Sequence, residues 1–388
     1  MKDQVERLLF SLVSRAVFGK PLSDAQRAAC SQELQEPLYA LAKKHDVAHL
    51  VGYALAEEGL LAVEDPWTAK WQKAQMVAVL RQERLDYELS QIRAVLEEAN
   101  IRFLPLKGAV IRPLYPEAWM RTSCDIDVLV DEANLDACVA LLCEKLAYRA
   151  ESRREYHDIS LYAPSGIHLE LHFSILENME RLDGELARVW EFAFPVSEGA
   201  EEHRLSDAYL VFHTVAHMAY HFIRGGCGIR PFIDLCLMRE KLIADEEALR
   251  KHLAACSLEQ FYESAVALSD VWFSGGDHTD CTRAMQTYLL SGGVYGSMEN
   301  NIAVRRSKKS STIAYLWKRF FVPYKTMAIS YPILKKAPYL LPFCWVARGF
   351  GVIFGGKSKR VLSEMSCASR VSDEKMAEMQ SLLERVGL

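Results

Sequence analysis

No CxxC pair occurs among the ten cysteines, and the nearest two, Cys138 and Cys143, stand five apart in a helical pattern. That spacing excludes a zinc ribbon and argues against a secreted disulfide framework. Uninterrupted long apolar runs are also missing. The most apolar stretch, PYLLPFCWVARGFGVIFGG, holds two prolines and Arg348 and does not read as a transmembrane helix. The opening MKDQVERLLFSLVSRAVFGK carries charges throughout an amphipathic pattern, which predicts a helix and not a signal peptide. Reduced thiols without a leader predict a cytoplasmic protein. There is no internal repeat and no low-complexity tract. One charge sign is absent locally: residues 301–360 contain no Asp or Glu, against thirteen Lys or Arg and eleven aromatics. Because the whole chain carries −5, the other 328 residues carry −18.

What is present is the balance of a folded protein: half of the 388 residues are apolar and a quarter are charged, enough for two or three packed units. Residues 1–100 show apolar positions three and four apart, predicting helices over LYALAKKHDVAHLVGYALAEEG and WQKAQMVAVLRQERLDYELSQIRAVLEEAN. The period then changes. IRFLPLKG and DIDVLV read as strands, EANLDACVALLCEKLAYRA as a helix, and DISLYAP and IHLELHFS as a hairpin turning at Pro164-Ser165-Gly166. Helical patterns return from about residue 180, with Ser206 as an N-cap and Gly225-Gly226 as a stop. GGVYGSMENN reads as a linker into the basic segment. The division this predicts is a helical region over 1–100, an α/β module over 101–178, a helical domain over 179–295, and a basic, aromatic-rich helical region over 296–388.

Two carboxylates stand one residue apart at the head of the strand in RTSCDIDVLV. Residues i and i+2 of a strand share a face, so Asp125 and Asp127 project side by side and repel unless a cation lies between them. They suit either a turn before the strand or a metal site. In IHLELHF the alternation puts His168, Glu170 and His172 on one face. If this strand lies beside DIDVLV, Glu170 joins the aspartates, and three hard oxygen ligands suit Mg²⁺ or Mn²⁺ with substrate phosphates. Glu177, beyond the strand end, is expected outside the site. Removing either aspartate is expected to leave stability unchanged or raised. Upstream, Lys107-Gly108 sits between a strand and a helix, where glycine and helix N–H groups suit a phosphate and Lys107 adds charge. Arg121 is a second candidate triphosphate ligand.

Together, LKGAVIRPLYP, RTSCDIDVLV and HLELHF resemble the uncharacterised bacterial nucleotidyltransferases of the polymerase-beta-like superfamily, most specifically over residues 100–180. The resemblance implies an α+β fold, a small mixed β-sheet module flanked by helical regions. It also implies transfer of a nucleoside monophosphate from an NTP with release of pyrophosphate. By the same resemblance Asp125 and Asp127 match the metal-binding aspartates and Glu170 the third carboxylate. The Gly-Ser that precedes them in the superfamily is here Ser123-Cys124, so Ser123 is the remaining candidate phosphate donor. The motif FHTVAHMAYHFIRGGCGIRPFIDL matches more loosely, and the resemblance places His217, Arg230 and Asp234 on the wall facing the module; His172, on the Glu170 face by alternation, is a further second-tier candidate.

Two other readings fit parts of the chain. A degenerate member that binds nucleotide or RNA without turnover would explain Ser123-Cys124. A His/Asp phosphohydrolase would use His213, His217 and His221, four apart on one helix, with Asp234. The acceptor is open among a sugar, a lipid-linked intermediate, a tRNA end and a protein side chain. Residues 301–360 suit an anionic membrane surface, and second to it RNA, which would make the protein peripheral at the membrane.

Overall fold

The computed structural model describes residues 1–154, 157–294, 296–305, 321–324, 327, 331–354 and 371–388. Five helices open the chain: α1 (Lys2–Phe18), α2 (Asp24–Ala29), α3 (Gln32–Lys44), α4 (Ala48–Glu57) and α5 (Pro66–Glu98). The helix expected across residues 38–59 is two. α3 closes with Asp46 in the left-handed region at φ 54, while the Val47 and Asp46 N–H groups reach back to the carbonyls of Ala42 and Lys43. The break turns the Asp46 side chain outward from the helix stack, where it meets groups described below. α5 starts earlier than its apolar pattern: the Asp65 carboxylate caps the Trp67 N–H at 2.9 Å, and Pro66 fills the first turn, which needs no donor.

A five-stranded mixed sheet follows, in the order β1-β2-β5-β4-β3. Its strands are β1 (Phe103–Pro105), β2 (Asp125–Val130), β3 (Arg149–Arg154), β4 (Asp158–Tyr162) and β5 (His168–His172). β2 and β5 run parallel; the other pairs are antiparallel. A short helix, α6 (Gly108–Ile111), follows β1, and α7 (Leu135–Leu146) links β2 to β3. The helix expected to reach Ala150 stops four residues short, because Ala147 takes the left-handed conformation at φ 55 and the chain enters edge strand β3. One sheet face, with Val128, Val130, Leu169 and Leu171, packs on Leu85, Leu89, Ile92 and Leu96 of α5 and on Leu135, Cys138 and Leu142 of α7. Those α5 positions recur at three and four, the stripe a helix needs to cover a sheet.

Beyond the sheet come α8 (Glu180–Leu186) and a two-stranded hairpin of β6 (Ala193–Pro195) and β7 (His203–Leu205). Then follow α9 (Asp207–Phe222), α10 (Arg230–Lys241), α11 (Glu246–Ala255), α12 (Glu259–Phe273), α13 (Asp280–Gly292) and α14 (Met298–Arg305). Ser206 caps α9 by accepting from the Tyr209 N–H, and Gly225 and Gly226 follow its end at φ 123. The second and larger core joins α1, α3 and α4 with α9, α10, α12 and α13. The stretch expected as a linker, residues 292–301, is instead a packed joint: buried Asn300 donates to the carbonyls of Gly225 and Tyr288. α15 (Leu341–Phe354) and α16 (Asp373–Val386) are the last described helices, and α16 packs Met376, Met379 and Leu382 into the larger core. Among the described residues, no helix is long and apolar enough to cross a membrane.

Candidate active site

The strand register brings the carboxylates together. Asp127 pairs with Glu170 and Asp125 with His168 across the parallel β2–β5 ladder, so all four side chains rise from the face opposite the sheet's apolar core. His172, two residues on from Glu170, shares that face. The Lys107 ammonium enters from the β1–α6 turn, donating to Asp127 Oδ1 at 2.7 Å and lying 4.0 Å from Glu170 Oε2. His172 Nε2 lies 3.0 Å from Asp127 Oδ1 and 3.5 Å from Glu170 Oε2. Three carboxylates, the Lys107 ammonium and the His172 imidazole thus crowd one pocket.

Charge balance divides the two aspartates. Burial would raise the Asp127 carboxyl, but Lys107 and His172 overcome it and hold the group well below the usual carboxylate range. Asp125 is raised instead, first by burial and then by repulsion from Asp127 and Glu170. His172 resists its burial through the hydrogen bonds to Asp127 and Glu170, and is raised. The donor set fits a divalent cation. Ligand atoms of Asp127, Glu170 and His172 fall within 4.8 Å of one another, as do those of Asp125, His168 and Glu170. Oxygen-rich sets of this kind suit Mg²⁺ or Mn²⁺. Lys107 already lies against two of the carboxylates that would hold such an ion.

The other phosphate candidates are engaged within the fold. The Ser123 hydroxyl accepts from Arg112 Nη2 and donates to the Asp125 carbonyl at 3.0 Å. A Cβ on Gly108 would lie 3.1 Å from Arg112 Nη2 and 3.3 Å from Ser123 Oγ, so glycine there permits close packing of the two turns. Arg121 makes a two-point ion pair with Asp234, Nε to Oδ1 at 3.2 Å and Nη2 to Oδ2 at 2.8 Å, and gives Nη1 to the Thr122 carbonyl. Asp234 also accepts from the Tyr115 hydroxyl at 2.6 Å. Both members of the Arg121–Asp234 pair are buried. Asp234 is therefore committed to Arg121 and Tyr115, which corrects its expected place beside the histidines of a phosphohydrolase metal site. Arg230 reaches Asp46 Oδ2 at 3.1 Å and the Thr122 carbonyl at 2.8 Å.

A cleft of about 360 Å³ lies between this cluster and the helical layer. Its near wall carries Lys107, Gly108, Ser123, Asp125, Asp127, Glu170 and His172; its far wall carries His213, His217 and His221 of α9 and Arg230 and Asp234 of α10. Glu177 also lines it and hydrogen-bonds His217 Nδ1 at 2.7 Å. That corrects the expectation that Glu177 lies outside the site. The chain turns back after β5, with Asn178 at φ 54, and so returns Glu177 to the cleft. Sequence reasoning missed Arg112, Tyr115, Asp46 and Glu177. The turn residue Asn178 is the one signal that bears on Glu177; the other three have none, because their partners are remote in the chain.

A family model described as an uncharacterised nucleotidyltransferase matches residues 31–274. No curated protein matches. Among solved structures, the Thermotoga maritima CCA-adding enzyme complexed with tRNA_CCA aligns over 80% of this chain and 85% of that chain, at 12% identity and a TM-score of 0.22. A likeness that slight carries no argument about this fold. The family match spans well over half of the chain and includes the sheet, both cleft walls and every carboxylate of the cluster. The chain belongs to the uncharacterised nucleotidyltransferase family and is a nucleotidyltransferase.

Proposed function

We propose that this chain moves a nucleoside monophosphate from an NTP to an acceptor and releases pyrophosphate, with Asp125, Asp127 and Glu170 as the ligands of Mg²⁺ or Mn²⁺. The observation that carries the reading is the β2–β5 register, which sets three carboxylates on one face, where burial and then Asp127 and Glu170 raise the Asp125 carboxyl against the opposing pull of Lys107 and His168. A divalent ion bound there would supply charge neutralisation at the α-phosphate and the leaving pyrophosphate. The chain's own groups do the rest. Lys107, at the β1–α6 turn beside Asp127 and Glu170, adds positive charge for the nucleotide's phosphates. His172 holds Asp127 in its ionised form. Arg112 and Ser123 fix the turn that presents Asp125, and Arg121 with Asp234 ties that turn to the far wall. Arg230, partly buried in the cleft wall, is the proposed far-wall contact to substrate.

The degenerate-binder reading draws on Ser123-Cys124 and on Lys107 lying in the carboxylate pocket. Turnover separates the two. Incubation with α-labelled NTPs, Mg²⁺ and a cell extract should give labelled acceptor and pyrophosphate, and Asp127→Asn should lower the rate at least about 100-fold, as expected for loss of a group that orders the reacting phosphate. Full turnover in Asp127→Asn would remove the metal assignment. Of the basic segment 301–360, residues 306–320, 325–326, 328–330 and 355–360 lie outside the described residues. We propose an anionic lipid surface as its partner, supported by the apolar exposure of α15.

A further inference from the structure

On the far wall, three polar side chains form a line that the metal-ligand reading leaves unused. Glu177 Oε1 lies 2.7 Å from His217 Nδ1, and His217 Nε2 lies 3.1 Å from His221 Nε2. The two rings meet edge to face, with centroids 4.4 Å apart. Glu177 is held in place: Asp183 accepts from the Glu177 and Met179 N–H groups at 3.1 and 2.9 Å, fixing the loop before α8. All three residues line the cleft that faces Asp125 and Asp127.

The contacts also fix the tautomers. A carboxylate only accepts, so His217 donates to it through Nδ1–H, and neutral His217 then offers Nε2 as an acceptor. Its neighbour His221 must donate through Nε2–H, which leaves the lone pair of neutral His221 on Nδ1. Burial is the main reason that both imidazoles are held down to about 3, and Lys107 adds to it, so both are unprotonated at neutral pH. Facing His217 are Lys107, Asp127, His172, Arg121, His213 and Glu177; facing His221 are His217, Glu177, Lys107, Arg224 and the ring of Tyr220. Glu177 ends this line, hydrogen-bonded to His217 Nδ1.

We propose that Glu177, His217 and His221 carry away the proton of the acceptor, and that the acceptor is therefore a hydroxyl and not a phosphomonoester. The inference rests on the nucleotidyl-transfer reading above. A phosphomonoester oxygen is already anionic at neutral pH and needs no base, whereas a hydroxyl must lose its proton as it attacks. In the step, the acceptor oxygen bonds the α-phosphorus and its proton passes to His221 Nδ1. The bond from the α-phosphorus to the bridging oxygen breaks, and its electron pair leaves with pyrophosphate. His221 hands its Nε2 proton to His217 Nε2, and the His217 Nδ1 proton moves to Glu177. His221 is the base; His217 and Glu177 are positioning residues.

The test uses the full chain, α-labelled NTPs and Mg²⁺, with water and glycerol as hydroxyl probes and methyl phosphate, which has no alcohol hydroxyl, as the phosphomonoester probe. His221→Ala should slow transfer to water and glycerol about 100-fold, within the range for loss of a general base, with KM for the NTP unchanged and rate restored by added imidazole. Glu177→Ala should lower kcat alone. Faster transfer to methyl phosphate than to either hydroxyl probe, or an unaffected rate in His221→Ala, would overturn the proposal. If Asp127→Asn is dead while His221→Ala is active, the proton line fails and nucleotidyl transfer stands; if the wild type neither binds nor turns over any NTP, nucleotidyl transfer fails. Nitrogen-15 spectra read the line independently of activity. His221 should carry its proton on Nε2 in the wild type and show mixed tautomers in Glu177→Ala; an unchanged tautomer, or a zinc ion held by His217 and His221, would refute it.

Discussion

Asp127 sits between Lys107 and His172, whereas Asp125, two residues earlier on the same face, meets the carboxylates of Asp127 and Glu170. Conservative removal of each should therefore act in opposite directions, where the sequence alone predicts that neither substitution lowers stability. The folded Asp125 carboxyl titrates above its unfolded value, so its ionisation costs stability as pH rises through that interval. Asp125→Asn should raise stability by about 1 kcal/mol at pH 7, the low end of the scale for relieving one like-charge contact. The gain should vanish below about pH 4, where Asp125 is protonated in both states. The folded Asp127 carboxyl titrates below its unfolded value, so its contribution is present above the ordinary carboxylate range and is lost as pH falls through the folded value. Asp127→Asn should lose about 3 kcal/mol at pH 7, because it strands Lys107 and His172 against a neutral partner. Urea unfolding at pH 7 and pH 4 checks both signs. The i, i+2 geometry was readable in DIDVLV. The seat of Lys107 was not, because it depends on a turn with φ 47 at a non-glycine residue.

Between elements, the buried Arg121–Asp234 pair, with Tyr115, joins the turn before β2 to helix α10 and so sets one cleft wall against the other. Arg121 was expected on a triphosphate; its guanidinium faces Asp234. Asp234→Asn should destabilise the protein by about 3–5 kcal/mol by leaving a buried charge, while Arg121→Met with Asp234→Leu should cost less than Asp234→Asn alone. Thermal unfolding of the single and double variants decides it: a double variant worse than the single would mean that the pair itself is the source of stability. Elements were legible in proportion to the contrast between their two faces. β5 alternates between polar and apolar residues, so its centre is legible although the strand is shorter than IHLELHFS, and the turn at Pro164-Ser165-Gly166 is where Gly166 hydrogen-bonds back to Ala163. β3 is an edge strand of charged residues paired on one side, with no alternation to mark it. The α3–α4 break lacks a glycine or proline and rests on Asp46 taking φ 54.

At the scale of the whole molecule, two cores meet at the cleft, one under the sheet and one among the helices flanking it. Which histidine faces which carboxylate follows from that meeting and from no local pattern, so Glu177 and His217, forty residues apart, were not paired in advance. The charge distribution, by contrast, is a property of composition and was fully visible: thirteen Lys or Arg without an acid in residues 301–360, on a chain otherwise at −18. Within the described part of that segment, Ile333 (55%), Tyr339 (78%), Phe343 (72%) and Val346 (52%) are exposed. Phe343 and Val346 stand three apart on α15, while Cys344 faces inward, so one apolar stripe of the helix looks to solvent. Lys336 and Lys335 lie just before it in sequence, and Lys357, Lys359 and Arg360 just after. An apolar helical stripe bracketed by cations matches a headgroup layer: apolar side chains enter the acyl boundary while each cation gains about 1 kcal/mol against an anionic surface. Base stacking needs planar rings more than Ile and Val, which favours lipid over RNA. The protein should sediment with vesicles containing phosphatidylserine at low salt and return to the supernatant at high salt. Charge reversal at Lys335, Lys336, Lys357, Lys359 and Arg360 should abolish sedimentation and leave cleft chemistry intact. Equal recovery in the supernatant with and without vesicles at low salt would refute lipid docking, and retention on immobilised tRNA under the same conditions would transfer the role to RNA.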